Sequence, residues 1–153
     1  MIINWECKPF NTLTPDELYC ILKLRIEVFV IEQNCVFQDC DDKDQESYHY
    51  MGWQKNKLVA YTRLMPAGLA YKEISIGRVV TSPIVRNYHI GKELMSNSIE
   101  KLHELFGKLP IKIGAQLYLK RFYESLGFIQ CSKIYLDDGI KHIKMIRNLF
   151  NKQ

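Results

Sequence analysis

Apolar residues recur along this chain at two alternating spacings, and each change of spacing marks an element boundary. Ile2 to Cys7 reads as a short strand. Thr14-Pro15-Asp16-Glu17 is a capping box with proline at the first helical position, which predicts a helix start. Leu18, Ile21, Leu22, Val28 and Phe29 follow at helical spacing and carry that helix towards Ile31. Tyr48 to Gln54, Lys57 to Leu64 and Glu73 to Thr81 read as three strands. The first two join through Lys55-Asn56, and the third lies beyond a Pro66/Gly68 turn. Ile90, Leu94, Met95, Ile99, Leu102, Leu105 and Phe106 define a second long helix, closed by Gly107 and Pro110. Ile111, Ile113 and Ala115 then alternate with Lys112, Gly114 and Gln116, a strand. Leu119, Phe122, Tyr123 and Leu126 return to helical spacing until Gly127 stops it. Phe128 to Leu136, an Asp138-Gly139 turn and His142 to Ile146 predict a closing antiparallel hairpin. The order β-α-βββ-α-β-α-ββ, without repeats or a low-complexity linker, predicts one mixed α/β (α+β) domain over residues 1–153.

Composition narrows the classes. At 153 residues, 47% hydrophobic and 25% charged, the chain is an ordinary globular domain with enough length for a core. Its net charge of +4 is spread rather than striped, which argues against nucleic acid and is compatible with an anionic ligand. No apolar run approaches the roughly 18 residues that span a bilayer, and no basic segment precedes Glu6 and Pro9, so neither a membrane span nor a signal peptide is expected. Cys7, Cys20, Cys35, Cys40 and Cys131 are odd in number and form no C-x-x-C pair. They read as reduced thiols of a cytoplasmic protein, and no metal site is expected.

Two charged features stand out. Arg25 lies on the face of Leu18, Leu22 and Phe29, and Glu32 falls one heptad beyond it. Charges on an apolar stripe need partners, so they are either structurally paired or directed into a pocket. Asp39 to Glu46 is acidic without the glycine and terminal glutamate of an EF-hand, and reads as a solvated loop.

The segment I-G-R-V-V-T-S-P-I-V-R-N-Y-H-I-G-K, from Ile76 to Lys92, feeds a strand through an arginine-led loop into a helix. The first N–H groups of a helix lack internal partners, and the macrodipole makes that end positive. Gly91 lets an anion approach the backbone, and Arg86 and Lys92 add charge. A pyrophosphate is the expected ligand, in a loop matching neither a Walker A nor a dinucleotide fingerprint.

About 30 residues downstream, F-Y-E-S-L-G-F at Phe122 to Phe128 puts a tyrosine on the inward face one turn before a glycine stop. Together with R-N-Y-H-I-G, this resembles the GNAT superfamily of acetyl-CoA-dependent N-acetyltransferases. R-I-E-V-F-V-I-E-Q-N at Arg25 to Asn34, I-G-R-V-V at Ile76 to Val80 and D-G-I-K-H-I at Asp138 to Ile143 resemble its ElaA-like branch, in order over nearly the whole chain. The resemblance implies a central twisted mixed sheet flanked by helices. It departs from the family at Asn87 and His89, where such loops usually carry glycine; a side chain at 89 narrows the cradle.

By that resemblance, the cosubstrate is acetyl-CoA, and an acetyl group passes directly to an amine through a tetrahedral intermediate. Backbone groups of Val79, Val80 and Thr81 would hold the pantetheine arm and thioester. Arg86 and the N–H groups of Asn87, Tyr88, His89, Ile90, Gly91 and Lys92 would hold the pyrophosphate. Tyr123 is the candidate general acid, its phenol protonated at pH 7. For the base, Glu32 is favoured, because partial burial on the stripe would raise its pKa. Arg25, roughly 10 Å of helix away, is too distant to neutralise it. His142 is the rival, with a reference pKa near 6.5. His49 and His103 read as surface or structural residues. The acceptor is a small-molecule or peptide amine, met by loops such as Gln33 to Ser47 whose acidity leans towards a cation. A monomer and a homodimer are both compatible. The competing reading is a non-catalytic acetyl-CoA-binding or partner-binding module, against which the retained Tyr123 weighs.

Overall fold

The structure, a computed structural model, describes residues 1–149; the last four residues of the expected 1–153 domain lie outside the described residues. Strand β1 (Asn4–Pro9) leads to helix α1 (Pro15–Arg25), whose predicted capping box is present: Glu17 N donates to Thr14 Oγ1 at 3.1 Å and Thr14 N to Glu17 Oε1 at 2.9 Å. The helix does not stop at Arg25 but widens into a π-helical stretch, Ile26–Glu32, in which Gln33 N donates back to Val28 O. Then come β2 (Tyr48–Gln54), β3 (Lys57–Met65), β4 (Ser75–Thr81), α2 (Ile90–Phe106), β5 (Ile111–Gln116), α3 (Lys120–Glu124), β6 (Ile129–Gln130), β7 (Tyr135–Asp137) and β8 (Ile140–Arg147). Two expectations are corrected locally. The single strand expected from Phe128 to Leu136 is broken into β6 and β7, and the short helix is α3 preceded by a 3-10 turn at Leu117–Leu119. At the expected hairpin turn Asp138 and Gly139 both take positive φ, 50° and 81°, as a two-residue type I′ loop requires.

The sheet is antiparallel in two halves, β1-β2-β3-β4 and β5-β8-β6 with β7 also on β8. A parallel bridge between Ile74 and Ile111 joins them, with Lys112 N donating to Ile74 O at 3.0 Å. Alternation along β3 sorts its side chains to two faces. On one, Ile21, Leu24 and Val28 of the first helix pack on Met51, Leu58, Tyr61 and Val80. On the other, Leu94, Met95, Ile99 and Leu102 of α2 pack on residues of both halves, including Leu64, Ile76, Ile113 and Met145. Helix α2 therefore holds the two halves together beneath the point where they separate.

The acidic segment is where the structure departs furthest from expectation. It is not a solvated loop: Asp39 and Asp44 are buried, and with Asp41 they face three arginines. Arg25, fully buried, donates from Nε to Asp39 at 2.8 Å and from Nη1 to Asp44 at 2.8 Å. Arg63 bridges Asp41 and Asp44 at 2.7 and 2.9 Å, and Arg78 binds Asp39 at 2.8 Å. Burial pushes the Asp44 carboxyl up, but the Arg25 and Arg63 guanidiniums together hold it below the usual range. Of the two readings of Arg25, structural pairing is the observed one.

His49 is buried in the same network. Its Nε2 lies 2.9 Å from the Asp44 carbonyl, which can only accept, so Nε2 carries the proton and Nδ1 accepts from the Tyr61 hydroxyl at 2.6 Å. Burial lowers its pKa, and His103 is lowered in the same sense by partial burial. A depressed histidine contributes stability that is fully present above its unfolded-state value, near 6.5, and is lost as pH falls through its folded-state value. The urea midpoint is therefore expected to decline from pH 7 to pH 5, before the carboxylates protonate. A constant midpoint over that interval contradicts a buried neutral His49.

Candidate active site

Beyond the Ile74–Ile111 bridge, β4 and β5 diverge, and the backbone groups on their facing edges have no strand partner among the described residues. The gap opens into a cavity of about 650 Å³ walled by Val79, Val80 and Thr81 on one side and Ile113, Gly114 and Gln116 on the other. A bulge in β4 shapes the first wall. The β3–β4 register shifts between Tyr61 and Arg63, and opposite it Arg78 sits in the left-handed region at φ 51°. That conformation costs a non-glycine residue about 1 kcal/mol or more. Here it is held by the Arg78 guanidinium, which donates to the Asp39 carboxylate and, at 2.7 Å, to the Asp39 carbonyl. The buried ion network thus fixes the strand that faces the cavity.

One end of the cavity is the N-terminus of α2. His89, its N-cap, makes no side-chain capping bond, and the first turn bond is Glu93 N to His89 O, so the N–H groups of His89, Ile90, Gly91 and Lys92 have no intrahelical acceptor. Gly91 lines the cavity, and a Cβ added there would meet nothing within 4 Å. Asn87 and His89, the two departures from glycine, both adopt left-handed conformations, at φ 74° and 59°. The loop therefore keeps the backbone that glycine would give, under strain. Asn87, Tyr88, His89 and Lys92 are exposed beyond the cavity wall, and the Ile90 side chain is in the core, so only its backbone faces outward chemistry.

Arg86 and Glu32 line the cavity together as a two-pronged ion pair: Nη1 to Oε2 at 2.5 Å and Nη2 to Oε1 at 2.8 Å, with Nη2 also 3.2 Å from Thr81 O. The expectation that burial raises the pKa of Glu32 is overturned. Its side chain is 42% exposed, and the Arg86 guanidinium bonded to it holds the carboxyl below the usual range.

Tyr123 lies at the opposite wall, 5% exposed, its ring edge-on to Phe122 and Phe128. Its hydroxyl has no hydrogen-bond partner among the described residues, and burial, with Tyr118 nearby, raises its pKa well above the ordinary phenol. His142, the third predicted group, also lines the cavity. Its Nδ1 lies 2.7 Å from the Ile140 carbonyl and must donate there, which leaves the lone pair on Nε2.

Contacts that composition did not reveal tie the cavity's walls together. The Gln33 and Gln116 amides pair reciprocally at 3.2 and 3.3 Å, joining the end of the π-helical stretch to β5. Cys35 Sγ donates to Asp138 O at 3.3 Å and ties the same segment to the β7–β8 turn. Of the loop expected to meet an acceptor, Gln33, Cys35 and Phe37 reach the cavity, whereas Asp39, Asp41 and Asp44 turn into the arginine network. Arg25 on an apolar stripe was the available signal for that network; nothing in the sequence announced a left-handed Arg78.

Comparison with known proteins agrees with this geometry. The acetyltransferase (GNAT) domain family matches residues 13–149. The chain is 38% identical to Protein ElaA of Escherichia coli (strain K12) over 150 residues, 97% of this chain and 98% of that one. The crystal structure of Escherichia coli ElaA superposes with a TM-score of 0.90, covering 96% of this chain and all of that one. An acyl-CoA N-acyltransferase from Pseudomonas aeruginosa is 37% identical with a TM-score of 0.91, covering 95% of this chain and 99% of that one. With its split sheet and its sequence both matched over nearly their full length, the chain belongs to the GNAT acetyltransferase family.

Proposed function

We propose that the cavity binds acetyl-CoA and that the protein transfers its acetyl group to an amine. The observation that carries this reading is the conjunction, in one cavity, of uncapped N–H groups at the α2 start, unpaired strand edges on β4 and β5, and an unpartnered Tyr123 hydroxyl. These residues fit the cosubstrate. Gly91 and its neighbours offer N–H donors to phosphates, and the strand edges offer backbone groups to the amide-bearing pantetheine arm. Bound there, acetyl-CoA supplies an acetyl group activated as a thioester. The P. aeruginosa relative described as an acyl-CoA N-acyltransferase supports the same chemistry.

The chain's own groups then divide the proton work. Tyr123, kept protonated by burial, donates its O–H hydrogen bond towards the departing sulfur. His142 Nε2, the free lone pair on the acceptor side, takes the proton of the ammonium. Glu32, whose carboxyl is held ionised by Arg86, is a weak base in this arrangement and better suited to attract the cationic acceptor. The choice between the two bases is open to test by the pH dependence of kcat/KM in thiol-release assays with an amine panel. We expect His142→Asn to lose the rate and the acidic limb, and Glu32→Gln to keep the limb. A limb that survives His142→Asn and disappears in Glu32→Gln returns the base to Glu32. A non-catalytic binding module, the second reading, is favoured only by the absence of thiol release with every amine tried.

A further inference from the structure

We infer that Glu32 is a cation seat occupied in turn by Arg86 and by the charged group of the acceptor, the exchange being driven by the phosphates of the cosubstrate. This rests on the reading that the α2 end of the cavity holds a pyrophosphate. Both terminal nitrogens of Arg86 are committed to Glu32, and one of them also to Thr81 O. A guanidinium so engaged has its Nη1/Nη2 fork filled and keeps only Nε–H and one Nη1–H for any other anion. Pyrophosphate at the α2 N-terminus can take the Nη1/Nη2 fork of Arg86 only by drawing it off Glu32.

The pair is built to exchange. Its side chains are 38% and 42% exposed, so the bond is solvent-screened, unlike that of Arg25 in the interior. The Glu27 carboxylate also acts on Arg86, without a hydrogen bond to it. A doubly charged phosphate pair at a helix N-terminus is the stronger competitor for the guanidinium.

Release of Arg86 changes the acceptor side of the cavity. Glu32, Asp137 and Asp138 line the cavity, and among the described residues the other arginine lining it, Arg78, is spent on Asp39. Phe29 and Phe37 add apolar wall to the same cavity. A site of this kind takes an amine with a short apolar stem and a second positive charge, such as a diamine. The guanidinium of Arg86 stands, until displaced, where that charge goes. Cosubstrate and acceptor binding are then reciprocally coupled: each favours the state in which Arg86 has left Glu32.

Calorimetric titration of CoA into wild type, Glu32→Gln, Arg86→Gln and the double variant measures the first half. Removing the competing carboxylate is expected to tighten CoA about two- to fivefold, the range of an exposed ion pair. It is expected to do nothing in the Arg86→Gln background. Titration of 1,4-diaminobutane measures the second half: it is expected to bind CoA-loaded wild type more tightly than the free protein, and the gain is expected to vanish in Glu32→Gln. CoA binding that is unchanged or weakened by Glu32→Gln overturns the exchange while leaving the cosubstrate reading intact. Diamine affinity that is equal or absent with and without CoA overturns the acceptor class. Wild type that fails to bind CoA at all overturns the cosubstrate reading itself.

Discussion

Replacement of Tyr123 by phenylalanine is expected to lower kcat by about 10²–10⁴-fold, the usual contribution of a positioned acid, with little change in the KM for acetyl-CoA. The change is a clean one in this structure. The ring keeps its edge contacts with Phe122 and Phe128 at centroid distances of 5.2 and 6.0 Å. The lost hydroxyl leaves no buried partner behind, so the thermal midpoint should shift little. Burial also keeps the phenol protonated, so no loss of rate on the alkaline side is expected from Tyr123 at moderately basic pH. A phenylalanine variant with near wild-type kcat would make Tyr123 a core residue and nothing more.

Arg25→Met is expected to be the most destabilising single change, at about 3–5 kcal/mol, because it breaks the balance of three arginines and three aspartates inside the protein. Methionine fills much of the volume and can supply none of the donors to Asp39 and Asp44. At this chain length each kcal/mol moves the melting midpoint by roughly 2–4 °C, so a fall of about 6–20 °C is expected by calorimetry. The effect should reach the cavity as well, since Asp39 also anchors Arg78 at the β4 bulge. A variant that melts within 2–3 °C of wild type, roughly one kcal/mol, would mean that the network contributes little net stability.

The parts legible in the sequence are those fixed by local chemistry. The α2 boundaries at Ile90 and Phe106 followed from apolar spacing and the Gly107 stop, and the capping box at Thr14 and the Asp138-Gly139 turn were read from single motifs. Arg86, Gly91 and the Val79–Thr81 strand reach one cavity on a strand-loop-helix unit and Tyr123 on a short helix, while the π-helical stretch brings Glu32 and β8 brings His142. Pairings between distant segments were not legible. Arg86 meets Glu32 across 54 positions, and Gln33 meets Gln116 across 83. Hydrophobic periodicity carries no information about which charge answers which. The same limit explains Asp39 to Glu46, whose composition looks solvated until the three arginines that neutralise it are placed. It also explains Glu32, where position on a stripe suggested burial and the partner across the cavity decided the opposite.

If the cavity wall at the start of α2 seats the phosphates of acetyl-CoA, CoA titration of wild type against Gly91→Trp measures it most directly. A side chain at 91 begins in open space, so the fold should be kept, as circular dichroism and the melting midpoint would show. The bulk would then stand where the phosphates must approach the N–H groups. Tight binding to wild type and none detectable to the folded variant is the predicted result. Equal affinity in the two proteins would contradict it.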